Sequence, residues 1–468
     1  MSRVLHVLPA LSRGGASRAV LALARATAAQ GWRYEHRLVS LRPADPSMAA
    51  RAAELGVELA AADGPDAAIG EIASTDLVHI HFWNSPEVFE LLSSPLPECR
   101  LAIWSHISGA TAPQVLVGEL ADVAGALVAT SPTTLRSGPS ADAPVAVVPN
   151  AAELDRVDVE RRDHDGFVVA YIGTVDPVKM HPRFAELSAA VDVPGVRFVV
   201  CGSGDGFAAI ASRAEELGVR ERFELRGYVE DVGAVLAEAD AFGYPLVPGN
   251  YSGSELVLAE AMHAGVPPVL LPHGGAAASV EHGVSGIVAR DEEKYPRAIE
   301  RLAADPALRA RLGEGARRHV ARHRSPRVVA SAWARIYEDL LARPKAVPRW
   351  SGQPARSGAE AFLRGLGGTA EEFALSLGGD PEADERVAAA PPPLVTGDGG
   401  ILDYRRRHPD DPHLRFWSGL VLGRAGRPAL AAGELSAAIR LGLDRGRVRP
   451  HLDAVLSTGD AAPAGVAS

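Results

Sequence analysis

The chain has little cysteine, little lysine and no long apolar run. Its 468 residues include two cysteines, Cys99 and Cys201, without metal-ligand spacing, so we expect neither a disulfide framework nor a zinc site, and a reducing compartment is favoured. No apolar run reaches membrane-spanning length, and MSRVLHVLPAL predicts a short strand rather than a signal peptide. The net charge of −10 gives no electrostatic footprint for nucleic-acid binding. We therefore expect a cytoplasmic protein of two or three domains, and peripheral contact with the inner membrane face stays open.

Lysine is rare enough for each one to be considered separately. Only three of the 48 basic residues are lysines, at positions 179, 294 and 345. Lys179 lies in YIGTVDPVKM, just after a predicted strand and a glycine-containing turn. A compact ammonium on a flexible stem suits a diphosphate. The alternative interpretation is a solvated loop lysine.

Short apolar segments alternate with helical ones through the first 340 residues. Strands are predicted at Arg3–Leu8, Leu77–Phe82, Leu101–Trp104, Ala126–Ala129, Val145–Val148, Val168–Ile172, Arg197–Cys201, Phe223–Leu225, Ala241–Tyr244, Val269–Leu271 and Gly286–Val288. Such alternation is typical of right-handed βαβ units and a parallel sheet. The pattern restarts near Phe167 and therefore predicts two doubly wound α/β domains with a cleft between them.

The composition changes after Pro344. Residues 344–400 are rich in proline, glycine, alanine and acid, which predicts a linker or irregular segment. Residues 401–468 are predicted to be helical, and Gly419, Ala431 and Ala438 fall at the small-residue positions of a tetratricopeptide repeat. One repeat cannot bury its own face, so we expect it to pack on the body or on degenerate helices from the linker.

The segment from Asn250 to Gly286 is the most informative part of the sequence. It predicts a loop, a short helix, a buried strand, a Gly-Gly turn and a second strand. Ser252 and Glu255 fit a capping box, which places the start of the helix near Gly253. The N–H groups of residues 253–255 would then face a phosphate. Glu260, two turns further along, is placed to accept hydrogen bonds from a pair of sugar hydroxyls.

Four stretches of sequence resemble one enzyme family. SELVLAEAMHAGVPPVLLPHGG, RGYVEDVGAVLAEADAFGYP, VVPNAAEL and the N-terminal Gly14-Gly15 are similar to motifs of family-4 GT-B glycosyltransferases, which are retaining and use nucleotide sugars. The resemblance implies two Rossmann-like domains facing a cleft, with residues 1–155 binding the acceptor and residues 156–343 binding the nucleotide sugar. It also implies a last helix that crosses back onto the first domain.

The resemblance also implies roles for particular residues. Lys179 matches the diphosphate lysine, Glu260 the ribose-binding glutamate, and Tyr228 with Val229 the stretch that flanks the base. His106 in IWSHISG matches a strand-end histidine that faces the donor sugar, and Gly14-Gly15 matches a loop near the donor phosphate and acceptor. The predicted catalytic residues are therefore His106 and Lys179, and the predicted donor-binding set is Gly14, Gly15, Lys179, Tyr228, Val229, Gly253, Ser254, Glu255 and Glu260.

The sequence departs from the family pattern at three positions. Ser252 stands where the first glutamate of a paired motif belongs, Thr174 where an arginine accompanies the lysine, and Ala278 where an acid follows the Gly-Gly turn. Glu255, three positions on, is either a partial substitute for the lost glutamate or only a member of the capping box. These departures put donor identity and turnover in question.

Two further patterns favour structural roles. His79 and His81 share a strand face and could bind a metal, but no third ligand is apparent, so we expect a cleft-lining or packing role. In CGSGDGF, Phe207 stands where the third glycine of a dinucleotide fingerprint belongs. We therefore expect a glycine-rich loop lining the donor cleft and not an NAD site.

The sequence thus predicts a metal-independent, retaining glycosyltransferase that takes a nucleotide-sugar donor, needs no cofactor and acts on an unknown acceptor: a glycan, a natural product or a protein. A protein partner could dock on the C-terminal helices. Two alternatives stay open. One is a degenerate GT-B protein that binds ligand without turnover, and the other is a nucleotide-sugar epimerase, which would need more carboxylates around the sugar.

Overall fold

Two parallel β-sheets organise the first 348 residues. In the computed structural model, which describes residues 1–60, 64–137 and 145–459, the first sheet has seven strands and the second has six. The strands, numbered β1 to β15 in chain order, are Ser2–Leu8, Tyr34–Ser40, Glu58–Leu59, Leu77–Phe82, Leu101–Ser105, Ala110–Thr111, Gln114–Val115, Ala126–Ala129, Val145–Val147, Phe167–Ile172, Val196–Cys201, Phe223–Gly227, Ala241–Tyr244, Pro268–Leu270 and Ile287–Val288.

Helices connect these strands and then form the rest of the chain. The helices, numbered α1 to α22 in chain order, are Gly15–Ala29, Pro46–Glu54, Pro65–Ala73, Pro86–Ser93, Glu119–Val123, Pro132–Ser137, Phe184–Ala189, Phe207–Glu216, Val232–Glu238, Leu256–His263, Gly274–Ala278, Lys294–Ala304, Pro306–His323, Pro326–Leu341, Gly358–Leu366, Glu371–Leu377, Pro381–Ala388, Pro392–Thr396, Ile401–Arg407, Pro412–Arg424, Pro428–Arg440 and Arg445–Gly459. None of the helices in the described ranges combines the length and the apolar character needed to cross a membrane.

Each sheet is the centre of a Rossmann-like lobe. The first runs β3-β2-β1-β4-β5-β8-β9 and the second β12-β11-β10-β13-β14-β15, and the neighbouring strands are parallel. The central strands β4 and β10 are buried along their whole length, because helices cover both faces of a parallel sheet. We call these the first lobe and the second lobe. The predicted fold, two doubly wound α/β domains, is confirmed.

Helix α14 returns the chain to the first lobe. Ser325 caps it by accepting a hydrogen bond from the Val328 N–H, and Pro326 occupies its first turn, where a missing N–H costs nothing. Its buried face includes Trp333 and Tyr337, which join the first-lobe core beside β4 and β5. The predicted crossing helix is therefore present.

Two compact units divide the chain. The larger consists of Met1–Phe82, Leu96–Thr111 and Ala124–Pro348, and so holds both lobes; the smaller consists of Trp83–Pro95, Ala112–Val123 and Arg349–Ser468. The prediction that residues 344–400 form an irregular linker is wrong, because α15 to α18 lie there and contribute Phe362 and Phe373 to a buried aromatic cluster. Proline and glycine in this stretch begin and end short helices rather than preventing them.

The predicted repeat-like region is an antiparallel hairpin within the smaller unit. A Cβ on Gly419 of α20 would lie 2.5 Å from Leu435 Cγ of α21, so the glycine permits close helix packing. Ala431 and Ala438 are fully buried in the same packing surface. The small residues therefore act as predicted, and the tetratricopeptide assignment itself stays a prediction.

Candidate functional site

An ion pair lies at the start of α10, at the edge of the second lobe that faces the first. Lys179 Nζ donates a hydrogen bond to Glu255 Oε2 at 2.9 Å, and the Tyr244 hydroxyl donates to the same oxygen at 2.9 Å. The Lys179 side chain is only 13% exposed. The lysine is therefore held against a helix N-terminus, and the alternative of a solvated loop lysine is wrong.

The surroundings of Glu255 keep it ionised. Burial raises its pKa, but the Lys179 ammonium and hydrogen bonds from Ser252, Lys179 and Tyr244 outweigh burial, so the pKa is below its ordinary value. A buried carboxylate with a cation and hydroxyl donors beside it behaves in this way. Of the two interpretations of Glu255, a substitute carboxylate or a capping residue, the contacts favour the first.

The predicted capping box is wrong. Helix α10 begins at Leu256, and its N-cap is Glu255, whose side chain makes no capping hydrogen bond. Gly253 and Ser254 precede the helix, so the first-turn N–H groups belong to residues 256–258. The cause is the competing ion pair, because a carboxylate bonded to a lysine is not available to the backbone.

Gly253 lets the two lobes approach closely. A Cβ at this position would lie 2.2 Å from Thr130 Oγ1 and 3.2 Å from the His106 carbonyl oxygen, both in the first lobe. A Cβ on Gly275 would lie 1.9 Å from the Gly253 carbonyl oxygen, so only a glycine at this position of the predicted Gly-Gly turn lets the Gly253 loop pack so closely. Gly274 and Gly275 begin α11 instead of forming a turn between strands.

Glu260 is fully buried on α10 and reaches across to the first lobe. Its Oε1 accepts a hydrogen bond from Arg18 of α1, and its Oε2 has no hydrogen-bond partner within the described residues. Gly15, at the start of α1, lies close to the same helix, since a Cβ added there would be 3.8 Å from Leu256 Cδ1. Gly14 is the N-cap of α1 and is exposed. The glycine loop and Glu260 are therefore neighbours, and one buried carboxylate oxygen of Glu260 has no partner among the described residues.

His106 lies behind the ion-pair loop rather than facing outward. Its ring is 3% exposed, its Nδ1 is 2.8 Å from Asn150 Oδ1, and its Nε2 is 2.9 Å from His81 Nδ1. Asn150 in turn donates from Nδ2 to the Ser254 carbonyl oxygen at 2.8 Å. Burial lowers the pKa of His106 to about 4, against the opposing effect of Asn150. The expectation that His106 faces the donor sugar is corrected, because both of its nitrogens position other protein groups.

The base-flanking pair and the glycine-rich loop lie at the ends of two strands. Tyr228 is 57% exposed and stacks on the Arg13 guanidinium at 5.6 Å, whereas Val229 is half-buried against the second-lobe core. Gly202 has φ 141°, and a Cβ there would lie 1.7 Å from the Gly173 carbonyl oxygen. That glycine is therefore required by a backbone contact within its own lobe. The nucleotide roles of Tyr228 and Val229 stay predictions.

Four residues that sequence reasoning did not single out complete this region: Arg18, Asn150, Tyr244 and Arg324. Arg324 donates to Ser254 Oγ at 2.6 Å and to the Glu255 carbonyl oxygen at 2.9 Å, and burial lowers its pKa to about 10, with Glu255 opposing. Asn150 lies in the quoted VVPNAAEL motif, so that motif could have indicated it. The other three carry no local signal, because their partners are 11 to 242 positions away.

A comparison with protein families agrees with this geometry. The sequence model described as "Glycosyl transferases group 1" matches residues 155–319, which contain Lys179, Glu255 and Glu260. The match lies within the second lobe. Residues outside that range are not covered by the match.

Curated relatives of this domain are also glycosyltransferases by name. A D-inositol 3-phosphate glycosyltransferase of Salinispora arenicola is 31% identical over 192 residues, which are 38% of this chain and 42% of that protein. A protein of the same name from Mycobacterium bovis is 29% identical over 333 residues, or 63% of this chain and 66% of that one. Each match thus spans less than two thirds of the relative's own length.

Solved structures share the arrangement of the two lobes. Anabaena HepE, crystallised with UDP and with UDP-glucose, superposes with a TM-score of 0.59 at 16% identity, covering 72% of this chain and all of HepE. Sucrose-phosphate synthase of Thermosynechococcus elongatus gives a TM-score of 0.57 at 18% identity, covering 73% of this chain and 99% of that one. At these identities the likeness establishes the fold, and the fold is GT-B.

The second lobe presents chemistry suited to an anion at one place. An ammonium, a helix N-terminus and a buried guanidinium lie around residues 253–256, and a buried carboxylate with one unpartnered oxygen lies a further turn along α10. Positive groups of this kind favour a phosphate ester, and the carboxylate favours hydroxyl groups.

Proposed function

We propose that the chain transfers a sugar from a nucleoside-diphosphate sugar to an acceptor. The observation that carries the proposal is the 2.9 Å pair between Lys179 Nζ and Glu255 Oε2 at the N-terminus of α10. In this proposal the donor diphosphate replaces Glu255 as the partner of the Lys179 ammonium and accepts hydrogen bonds from the first-turn N–H groups of α10. The ribose hydroxyls then bind Glu260, whose buried Oε2 has no partner among the described residues and would become exposed to the ligand when the lobes separate.

Catalysis in this scheme is electrostatic. As the bond between the sugar and the diphosphate breaks, negative charge grows on the leaving phosphate while the sugar becomes oxocarbenium-like. Fixed positive groups placed where that charge develops lower the barrier more than they stabilise the bound donor. Lys179 and the α10 N-terminus supply this term, and the family resemblance favours retention of configuration without a metal at the diphosphate.

The proposed donor and acceptor have different support. The UDP and UDP-glucose complexes of the structural neighbour make UDP-sugars the first donors to assay. The names of the relatives make D-inositol 3-phosphate the first acceptor to assay, although those matches cover only part of each relative. The remaining donors to screen are GDP-, ADP- and dTDP-sugars.

The test is release of nucleoside diphosphate from each donor, with and without acceptor. Lys179→Met should abolish release, because the ammonium that is hydrogen-bonded to the Glu255 carboxylate is lost. Lys294→Met is the matched control: Lys294 is exposed at the start of α12 and should leave the rate unchanged. Equal loss of release in both variants, or none in either, would contradict the proposal.

A binding protein without turnover is the second candidate. It is favoured by Glu255, which already neutralises Lys179, and by the serine and threonine at positions 252 and 174. A thermal-shift screen with UDP, GDP, ADP and dTDP identifies the bound nucleotide, because a ligand that binds the native state raises the melting temperature. A shift of several degrees combined with no release from the matching sugar donor would favour this candidate over the enzyme.

A further inference from the structure

Three histidines converge in the core of the first lobe. His6 lies on β1, and His79 and His81 lie on the adjacent strand β4, where His6 and His79 are cross-strand partners. All three are fully buried, and one nitrogen from each lies within 4.8 Å of the others. A third histidine that the sequence did not reveal therefore lies on a neighbouring strand. Of the expected cleft-lining or packing role of His79 and His81, the packing part agrees with their burial.

Each of these rings uses its other nitrogen on an outer partner. His79 Nδ1 is 2.7 Å from the Tyr337 hydroxyl, and His6 Nε2 is 2.8 Å from His36 Nδ1. His81 Nδ1 is 2.9 Å from His106 Nε2. Metal-binding histidines characteristically donate the outer N–H in this way, which fixes the ring and turns the other nitrogen inward as a lone pair.

Of the three inward nitrogens, one has no hydrogen-bond partner among the described residues and the other two contact each other. His79 Nε2 has no hydrogen-bond partner among the described residues. His6 Nδ1 and His81 Nε2 face each other at 2.9 Å. A tetrahedral ion with metal–nitrogen bonds of about 2.0–2.1 Å places its nitrogens about 3.3 Å apart. One pair is 2.9 Å apart here and all three nitrogens lie within 4.8 Å of one another, so binding an ion requires the rings to move.

The number of protons in this histidine chain also favours a metal ion between the rings. Four neutral imidazoles, at positions 36, 6, 81 and 106, form a chain with five contacts that ends at Thr27 Oγ1 and Asn150 Oδ1. Thr27 Oγ1 is also 2.8 Å from the Ala24 carbonyl oxygen, to which its hydroxyl can donate, and Asn150 Nδ2 donates to the Ser254 carbonyl oxygen. When Thr27 donates to Ala24, both end atoms are acceptors and four N–H groups cannot fill five contacts. An ion in the central contact, between His6 and His81, removes the shortfall and gives every remaining contact one proton.

We propose that His6, His79 and His81 bind a first-row transition-metal ion of the imidazole-preferring class, zinc or copper, inside the first lobe. The ion would join β1 to β4 and, through the Tyr337 hydroxyl, to α14. It is separate from the diphosphate site and takes no part in the proposed transfer. Because the cluster is fully buried, the ion would enter during folding.

The first experiment measures metal in untagged protein expressed in medium supplemented with zinc and copper. Elemental analysis should give about one equivalent of zinc or copper per chain after treatment with a chelator. The same content should persist in a His319→Ala/His323→Ala variant, which removes a pair of histidines on α13 that could bind metal adventitiously. His79→Phe should reduce the content to near zero while keeping an aromatic ring against Trp333. A metal-free wild-type protein would overturn the proposal.

A second measurement needs no variant in the cluster. With the ion bound, His6 and His36 carry their protons on Nε2, whereas His81 and His106 carry theirs on Nδ1. Without an ion, a neutral chain can be completed only if Thr27 donates to His36, which puts the proton on Nδ1 in all four rings. Nitrogen-15 NMR of the histidine rings distinguishes the two patterns, and Nδ1 protons on His6 and His36 would contradict the metal site.

Tyr337→Phe should also lower metal retention about 10- to 100-fold, the usual effect of losing an outer partner.

Discussion

Removing the charge of Lys179 in one variant and that of Glu255 in another tests whether a diphosphate binds beside this ion pair. A charge-assisted hydrogen bond contributes about 1.5–3 kcal/mol, which corresponds to about 10- to 150-fold in Kd. Lys179→Met should therefore weaken binding of the nucleoside diphosphate that gives the largest thermal shift by that factor. Isothermal titration calorimetry measures it directly, with Lys294→Met as the control that should stay within twofold of the wild type.

The effect of Glu255→Gln has the opposite sign. A phosphate oxygen about 3 Å from Lys179 Nζ lies within about 6 Å of Glu255 Oε2, since that oxygen is 2.9 Å from the ammonium. Two like charges about 6 Å apart repel by about 3 kcal/mol at an effective dielectric constant near 20, so removing the carboxylate charge should tighten binding by up to about 100-fold. The glutamine still accepts a hydrogen bond from Lys179 and keeps its position.

The double variant completes a thermodynamic cycle. With neither charge present, the affinity should lie between those of the single variants, and the two effects should not add, because the side chains contact each other. If Lys179→Met leaves the Kd within twofold of the wild type, or if Glu255→Gln weakens binding as much as Lys179→Met does, the diphosphate is not at this pair.

Further predictions concern ribose recognition, loop packing, helix stability and pH. Glu260→Gln should weaken binding of a nucleoside diphosphate by about tenfold or more while leaving inorganic pyrophosphate binding unchanged, because only the nucleotide carries ribose hydroxyls; equal losses for both ligands in calorimetry would contradict the ribose role. Gly253→Ala should lower the melting temperature, since overpacking against Thr130 costs about 1–3 kcal/mol, and Thr130→Ala should restore part of it in the double variant. Gly433→Ala, on the exposed face of α21, should raise stability by about 0.5–1 kcal/mol, with no loss of ligand binding. The pKa of Glu255 is lowered in the folded protein, so its ionised side chain stabilises the fold fully above the unfolded pKa of about 4.3, and this stabilisation disappears as pH falls through the folded pKa. The difference in melting temperature between wild type and Glu255→Gln should therefore shrink below about pH 4.3. A constant difference down to about pH 3 would contradict this prediction.

Strands and their order of appearance could be predicted because their signals are local. The prediction at Leu77–Phe82 agrees with the structure at both ends, since a strand buried on both faces is a continuous apolar run. Strand β2, YEHRLVS, was not among the predicted strands because its three consecutive polar residues, Glu35 to Arg37, leave only a short apolar run. The helices between residues 358 and 396 were also not predicted, because their proline and glycine content resembles that of a linker.

The sequence alone determined the fold and singled out Lys179 and Glu260 in the second lobe, to which we assign phosphate and ribose binding as a proposal. The local sequence around one loop and one helix indicated Lys179 and Glu260, and these patterns can be recognised without knowing which residues contact them. Only the tertiary structure showed that Glu255 pairs with Lys179, that Arg18 reaches Glu260, and that His6 joins the histidines of β4. Each of these contacts links residues 73 to 242 positions apart, and such proximity arises from strand order and lobe closure, which residue spacing does not encode.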